Sequence, residues 1–258
     1  GSLYSQQFMQ DWAAANSGIY SLATTIGDLE MGHDRVSCVL DSPKHYRVEP
    51  KSSSEAEWEE ASDWAVTELE RAQELGLIPD ALAGSDLTGN ITRAEFSAVA
   101  VRAYESLSGE ETVPIAENPF TDTDDPDVLK AFNSDLAVGI SDTEFEPDTL
   151  LNREQAATIL TRVVKKVSLP GWTWDEDADY ELEYVQPEPF ADDEHISPWA
   201  RDSVYFMAAN DIITGTGDDK FSPRATTPEE EAINYAGATR EQALVLAVRM
   251  VENLGGEQ

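Results

Sequence analysis

The sequence predicts a mainly α-helical fold of three helix-loop-helix repeats packed as one pseudo-threefold helical spindle. Three observations predict it: a pattern that recurs three times along 258 residues, an N-cap signature at the same place in each recurrence, and amphipathic spacing on either side of it. The first segment runs from Ala61 to Leu107 and contains ASDWAVTELERAQELGLIPD and ITRAEFSAVAVRAYESL. The second runs from Asn118 to Lys166. The third opens with PFADDEHISPWARDSVYFMAANDIITGTGDDKFSP and closes, after an insertion, with ATREQALVLAVRMVENL.

Each repeat opens on a helix, read from the spacing of Trp64, Ala65, Leu69, Ala72 and Leu75 and of Trp199, Val204, Phe206 and Met207. Gly76, Gly139 and Gly215 then punctuate a turn, and Phe145 to Pro147 and Phe221 to Pro223 form an F-x-P that biases the chain to an extended or turning path. A second, longer helix starts at TRAE, NREQ or TREQ. Thr92 with Glu95, Asn152 with Gln155 and Thr239 with Gln242 have the reciprocal capping-box spacing, each cap contributing about 1 kcal/mol. Two helices cannot bury their apolar stripes alone, whereas three such units about a common axis can. The boundaries expected are 1–54 unassigned, 55–109, 115–168 and 187–255 for the three repeats. In the connection 168–189, YELEYV alternates like a strand or an extended surface arm. Residues 1–54 match no repeat and suggest one helix and some extended chain.

Charge narrows the partners. Acidic residues outnumber basic ones 51 to 17, and a formal charge of -34 repels phosphate backbones and anionic membrane surfaces. Nucleic acid is not an expected partner, and no apolar run reaches the roughly 20 residues of a membrane span, so no membrane insertion is expected. The single Cys38 excludes an intrachain disulfide, and His33, His45 and His195 show no metal-ligand spacing. With no nucleophile-elbow, HExxH or phosphate-loop motif, neither catalysis nor a cofactor is expected. DTDDPD fails as a calcium loop because Pro126 and Asn133 fall at the fifth and twelfth positions from Asp122; these aspartates are read as caps of the following helix.

Capping does not explain Arg93, Arg153 and Arg240, each at the first position of a long helix. A cation beside the positive end of a helix macrodipole is mildly unfavourable, so three recurrences ask for a compensating partner. Helix N–H groups and a guanidinium converging on one point make an anion site. An ion pair to a neighbouring repeat would serve equally, and both readings stay open on the residues alone.

ITRAEF at 91–96, NREQAA at 152–157 and TREQAL at 239–244, with the WA of Trp64 and Trp199 and the F-x-P, resemble the S-layer homology domains of Gram-positive cell-surface proteins, three in tandem; DTDDPDVLKA resembles a clostridial-type variant. The resemblance covers residues 61 to about 255. It implies a three-pronged spindle, secreted to the cell wall, monomeric with internal threefold pseudo-symmetry, that binds secondary cell-wall polysaccharide through a pyruvate ketal in grooves between repeats. By that resemblance Arg93, Arg153 and Arg240 would meet the ketal carboxylate, Trp64 and Trp199 the sugar face, and Gly139 and Gly215 would open backbone N–H groups to the ligand. Core anchoring is the competing role for the tryptophans.

The sequence departs from the pattern in several places. The middle repeat has Thr123 near the tryptophan position, Asp135 and Asp211 replace Gly76, the first repeat lacks the F-x-P, and the third inserts about eleven residues, enough for an acidic helical turn. Some grooves are thus expected to be inactive. A protein–protein assembly module with degenerate glycan grooves is the alternative function.

Overall fold

The computed structural model describes residues 61–233 and 235–255, together with the backbone of a hairpin at 36–42 and 45–50. The chain divides into two units, Gly1–Glu59 and Glu60–Gln258. In the first, β1 (Val36–Ser42) pairs antiparallel with β2 (His45–Pro50), with an irregularity in register between Leu40 and Ser42. The helix expected in 1–54 lies outside the described residues.

The second unit is helical. Its short helices are α1 (Val66–Glu74), α3 (Pro126–Asn133) and α5 (Arg201–Ala209). Its long helices are α2 (Arg93–Ser108), α4 (Arg153–Ser168) and α7 (Arg240–Leu254), and the insertion of the third repeat forms α6 (Pro228–Ala232), capped by Thr227. All three long helices begin in complete capping boxes, with Thr92, Asn152 and Thr239 accepting from the third helical N–H and Glu95, Gln155 and Gln242 reaching back. α1 and α5 start later than the apolar spacing suggests. Trp64 and Trp199 sit in the turns just before them, while Ala65 and Ala200 go fully into the core.

Packing is offset by one repeat. α3 lies on α2, α5 on α4, and α1 closes the circle by lying on α7 at the far end of the chain. Each prong thus takes its long helix from one repeat and its short helix from the next. The prongs meet at the residues just before the caps. The N–H of Ile91 donates to the Ala238 carbonyl at 2.9 Å, that of Ala238 to Leu151 at 2.9 Å and that of Leu151 to Ile91 at 3.1 Å, a closed ring of three bonds. All three residues are buried, so each bond is shielded from water and costly to lose.

The offset has a direct test. A fragment of residues 61–110 has α1 and α2 but neither α7, on which α1 packs, nor α3, which covers α2. By circular dichroism it is expected to be poorly ordered. A cooperative melt from the isolated repeat would contradict the shared core.

YELEYV is extended but pairs with no strand, and Tyr184 turns its ring edge-on to Phe206 on α5. The fully buried Trp172 anchors this connection, its indole N–H donating to Asp177 at 2.8 Å.

Candidate functional site

The three arginines take their places because the capping boxes fix where each long helix begins. The helix N–H groups beside them are not free, which corrects the expectation of an anion site built from them. Arg93 N–H donates to Thr149 and Ala94 N–H to Pro147; Arg153 donates to Ala236 and Glu154 to Pro223; Arg240 donates to Gly89 and Glu241 to Leu87. The third N–H goes to the cap in every case. An anion in these grooves must be met by side chains, or by backbone from the loops.

The same loops compensate the arginines. Arg93 donates from Nε to the Phe145 carbonyl at 3.0 Å and from Nη2 to Val138 at 2.9 Å, with its guanidinium 4.7 Å from the Phe145 ring centre. Arg153 repeats this with Phe221 at 3.0 Å, Thr214 at 2.6 Å and the Phe221 ring at 5.0 Å. Neither is in an ion pair with a described residue. Burial lowers the pKa of both, that of Arg153 to about 10, which leaves it charged at neutral pH.

Arg240 differs. Its Nε and Nη2 meet Glu95 Oε1 at 2.9 and 2.8 Å, while Nη1 donates to the Asp86 carbonyl. Glu95 occupies the third position of α2, where α4 and α7 carry Gln155 and Gln242. The structural ion pair weighed in the sequence therefore holds for one arginine and not for the other two.

The F-x-P has an unforeseen support. Asp122 accepts the N–H groups of Phe145 and Glu146 at 3.0 and 2.7 Å, and Asp192 those of Phe221 and Ser222 at 2.7 and 2.8 Å. The middle residues, Glu146 and Ser222, are left-handed at φ 59° and 56°, and the carboxylate offsets that strain. These hydrogen bonds hold the Asp122 carboxyl below its ordinary pKa. Asp122 is thus no helix cap; Asp125 caps α3, and Asp127 pairs with Lys130. The signal was present in the sequence. An F-x-D, Phe120 to Asp122 and Phe190 to Asp192, opens the two repeats that have an F-x-P, and each phenylalanine packs at a tilt against the F-x-P ring, 5.3 Å between ring centres.

Trp64 and Trp199 are 51% and 58% exposed, which removes the core-anchor role. Gly139 has no room for a side chain, since a Cβ would lie 2.7 Å from the Phe120 ring and 2.5 Å from the Ser141 carbonyl; at Gly215 the Lys220 carbonyl would be 2.7 Å away. Neither glycine N–H bonds to another described residue. Asp135 and Asp211 are left-handed like Gly76, a helix-ending conformation that Asp tolerates, and Asp135 turns to Lys166 at 2.7 Å.

The elements converge in a groove between α2 and α4. Arg93, Gly139, Ile140, Gln155, Arg162 and Trp199 line a cavity of 160 Å3 over Phe145. It joins residues of all three repeats. The Arg240 groove has a different composition, with Asp80 at the place of Gly139 and no tryptophan before α3. Among the described residues no cluster of three or more side chains could hold a metal ion, and no helix is long and apolar enough to cross a membrane.

Comparison with known proteins agrees with this geometry. Residues 189–233 match the family model of the S-layer homology domain, a stretch that holds Asp192, Trp199, α5, Gly215 and Phe221. The chain is also 29% identical over 134 residues to an endoglucanase of Bacillus sp. (strain KSM-635), a match covering 49% of this chain and 14% of the enzyme. Residues 189–233 therefore carry an S-layer homology domain, a kind of domain found in cell-surface and cell-wall-associated proteins.

Proposed function

We propose that the chain is a non-catalytic anchoring module, a monomer with internal threefold pseudo-symmetry, that holds its parent protein on the cell wall by gripping an anionic, pyruvylated polysaccharide. One observation carries this reading. In a chain with a net charge of -34, the groove between α2 and α4 sets the Arg93 guanidinium, free of any ion pair to a described residue, beside a half-exposed Trp199. A planar cation next to an aromatic face suits a carboxylate on a sugar ring. By the internal pseudo-symmetry, Arg153 and Trp64 are read as the corresponding pair of a second groove. Arg240 is committed to Glu95, and its groove is read as structural. The stretch shared with the endoglucanase is a small part of that enzyme, and we take it as the attachment part, with no activity carried over.

Pull-down by purified wall sacculi, with and without chemical removal of pyruvate ketals, tests the reading. Binding is expected to vanish after removal. In a Trp64→Ala background, Trp199→Ala is expected to weaken it about tenfold further without moving the melting temperature, since the indole is mostly outside the core. Undiminished binding to depyruvylated sacculi would favour the assembly-module reading.

A further inference from the structure

The groove between α2 and α4 contains a second cation. Arg162 lies nine residues into α4 from Arg153 and lines the same cavity as Arg93. It makes no hydrogen bond or ion pair to any described residue; only the fields of Asp177, Asp135 and Arg93 reach it. The two carboxylates are already engaged. Lys165 and the Trp172 indole hold Asp177 at 2.6 and 2.8 Å, and Lys166 holds Asp135 at 2.7 Å.

The arginines at the same place in the other long helices are both paired. Arg102 reaches Glu105 at 3.4 Å, and Arg249 reaches Glu68 of α1 at 3.3 Å. Glu68 stands four residues after Trp64, and the residue four after Trp199 is Ser203 on α5, which has no charge to offer. Ser203 where α1 has Glu68, and Lys165 where α2 has Glu105, therefore leave Arg162 without either kind of partner. The burial that depresses its pKa and the like charge of Arg93 both make the free groove unfavourable, and a bound anion would relieve both.

We propose that this groove is a two-cation site for a glycan bearing two anionic groups, Arg93 holding the ketal carboxylate and Arg162 a second acid on the same or the adjoining sugar. The Arg153 groove, with Arg249 tied to Glu68, then takes a ligand with one. The inference rests on the wall-polysaccharide reading above and assigns that site its ligand class.

Two synthetic disaccharides decide it, each ending in a pyruvyl-ketal amino sugar, one with a neutral second sugar and one with a uronic acid. To isolate the groove, titrations use the 1–258 chain with Trp64→Ala, alone and with Arg162→Gln or Arg93→Gln. The diacid is expected to bind about tenfold more tightly than the monoacid, because one further charge-assisted contact forms. R162Q should bring the diacid down to the level of the monoacid, leave the monoacid within about twofold, and leave the melting temperature unchanged or raised. R93Q should weaken both sugars. Equal affinities before mutation, or an equal loss of both sugars in R162Q, would overturn the proposal. If neither sugar binds, the polysaccharide reading fails, and dicarboxylates from malonate to glutarate then test the subsite alone. A shift of the Arg162 side-chain NMR signal, absent in R162Q, would keep the two-cation site; no shift would discard it as well.

Discussion

Replacing Glu154 with alanine is expected to destabilise the helical unit by about 3 kcal/mol, the largest loss of any single carboxylate in it. Its side chain is 1% exposed, and its two oxygens accept the N–H and the hydroxyl of Ser197, each at 2.8 Å, with Arg224 at 3.5 Å. Hydrogen bonds to a charged acceptor contribute about 1.5–3 kcal/mol each, and truncation leaves a backbone N–H stranded. Glu154→Gln retains one acceptor and should cost about half as much. Denaturant unfolding with an unchanged m-value would report this as a loss of stability alone. A loss below about 1 kcal/mol would show that the turn before α5 holds without it.

The same contact reaches the site. Ser197 is two residues before Trp199, so the second residue of α4 sets where that tryptophan stands. Glu241 does this for Ser62 and Trp64, with contacts of 2.9 and 2.8 Å. α2 carries Ala94 instead, and α3, which packs on it, has no tryptophan and caps itself with Asp125. The acid at the second helical position and the tryptophan of the next repeat occur together or not at all.

That pairing explains what could be read from the chain and what could not. The long helices and their caps were legible because a capping box is local, needing only four consecutive residues. The offset packing was not legible, since amphipathic spacing says which face is buried and not against which helix. The position of each arginine was clear, but its partners are carbonyls on a loop 45 to 68 residues away in sequence for Arg93 and Arg153. Trp64 and Trp199 fit a helical stripe by spacing, yet the chain turns just before each helix and leaves them outside. YELEYV alternates like a strand but pairs with none among the described residues, and Tyr184 meets the Phe206 ring edge-on. In hindsight the difference between R-A-E at 93–95 and R-E-Q at 153–155 and 240–242 carried much of the missing information. Moving the acid by one position exchanges a brace for the next tryptophan for a lock on Arg240.

The lock can be moved. Gln155→Glu places a carboxylate beside Arg93 at the position from which Glu95 holds Arg240 at 2.8 Å. The capping box should survive, because Glu95 serves both roles at once: Oε2 accepts the Thr92 N–H at 2.9 Å while Oε1 takes the arginine. In the Trp64→Ala background, wall binding is expected to fall at least thirtyfold, as the introduced charge occupies the guanidinium and repels an incoming anion. Stability should stay level or rise by up to about 1 kcal/mol, the usual range of a partly exposed pair. Loss of binding with a retained melt separates this change from Glu154→Ala, which should lower both. The converse, Glu95→Gln, frees Arg240 and should cost about 1 kcal/mol without creating a site, since that groove lacks a tryptophan and has Asp80 in place of the glycine. Full binding by the Gln155→Glu protein would mean that Arg93 meets no ligand and serves only to hold the Phe145 loop.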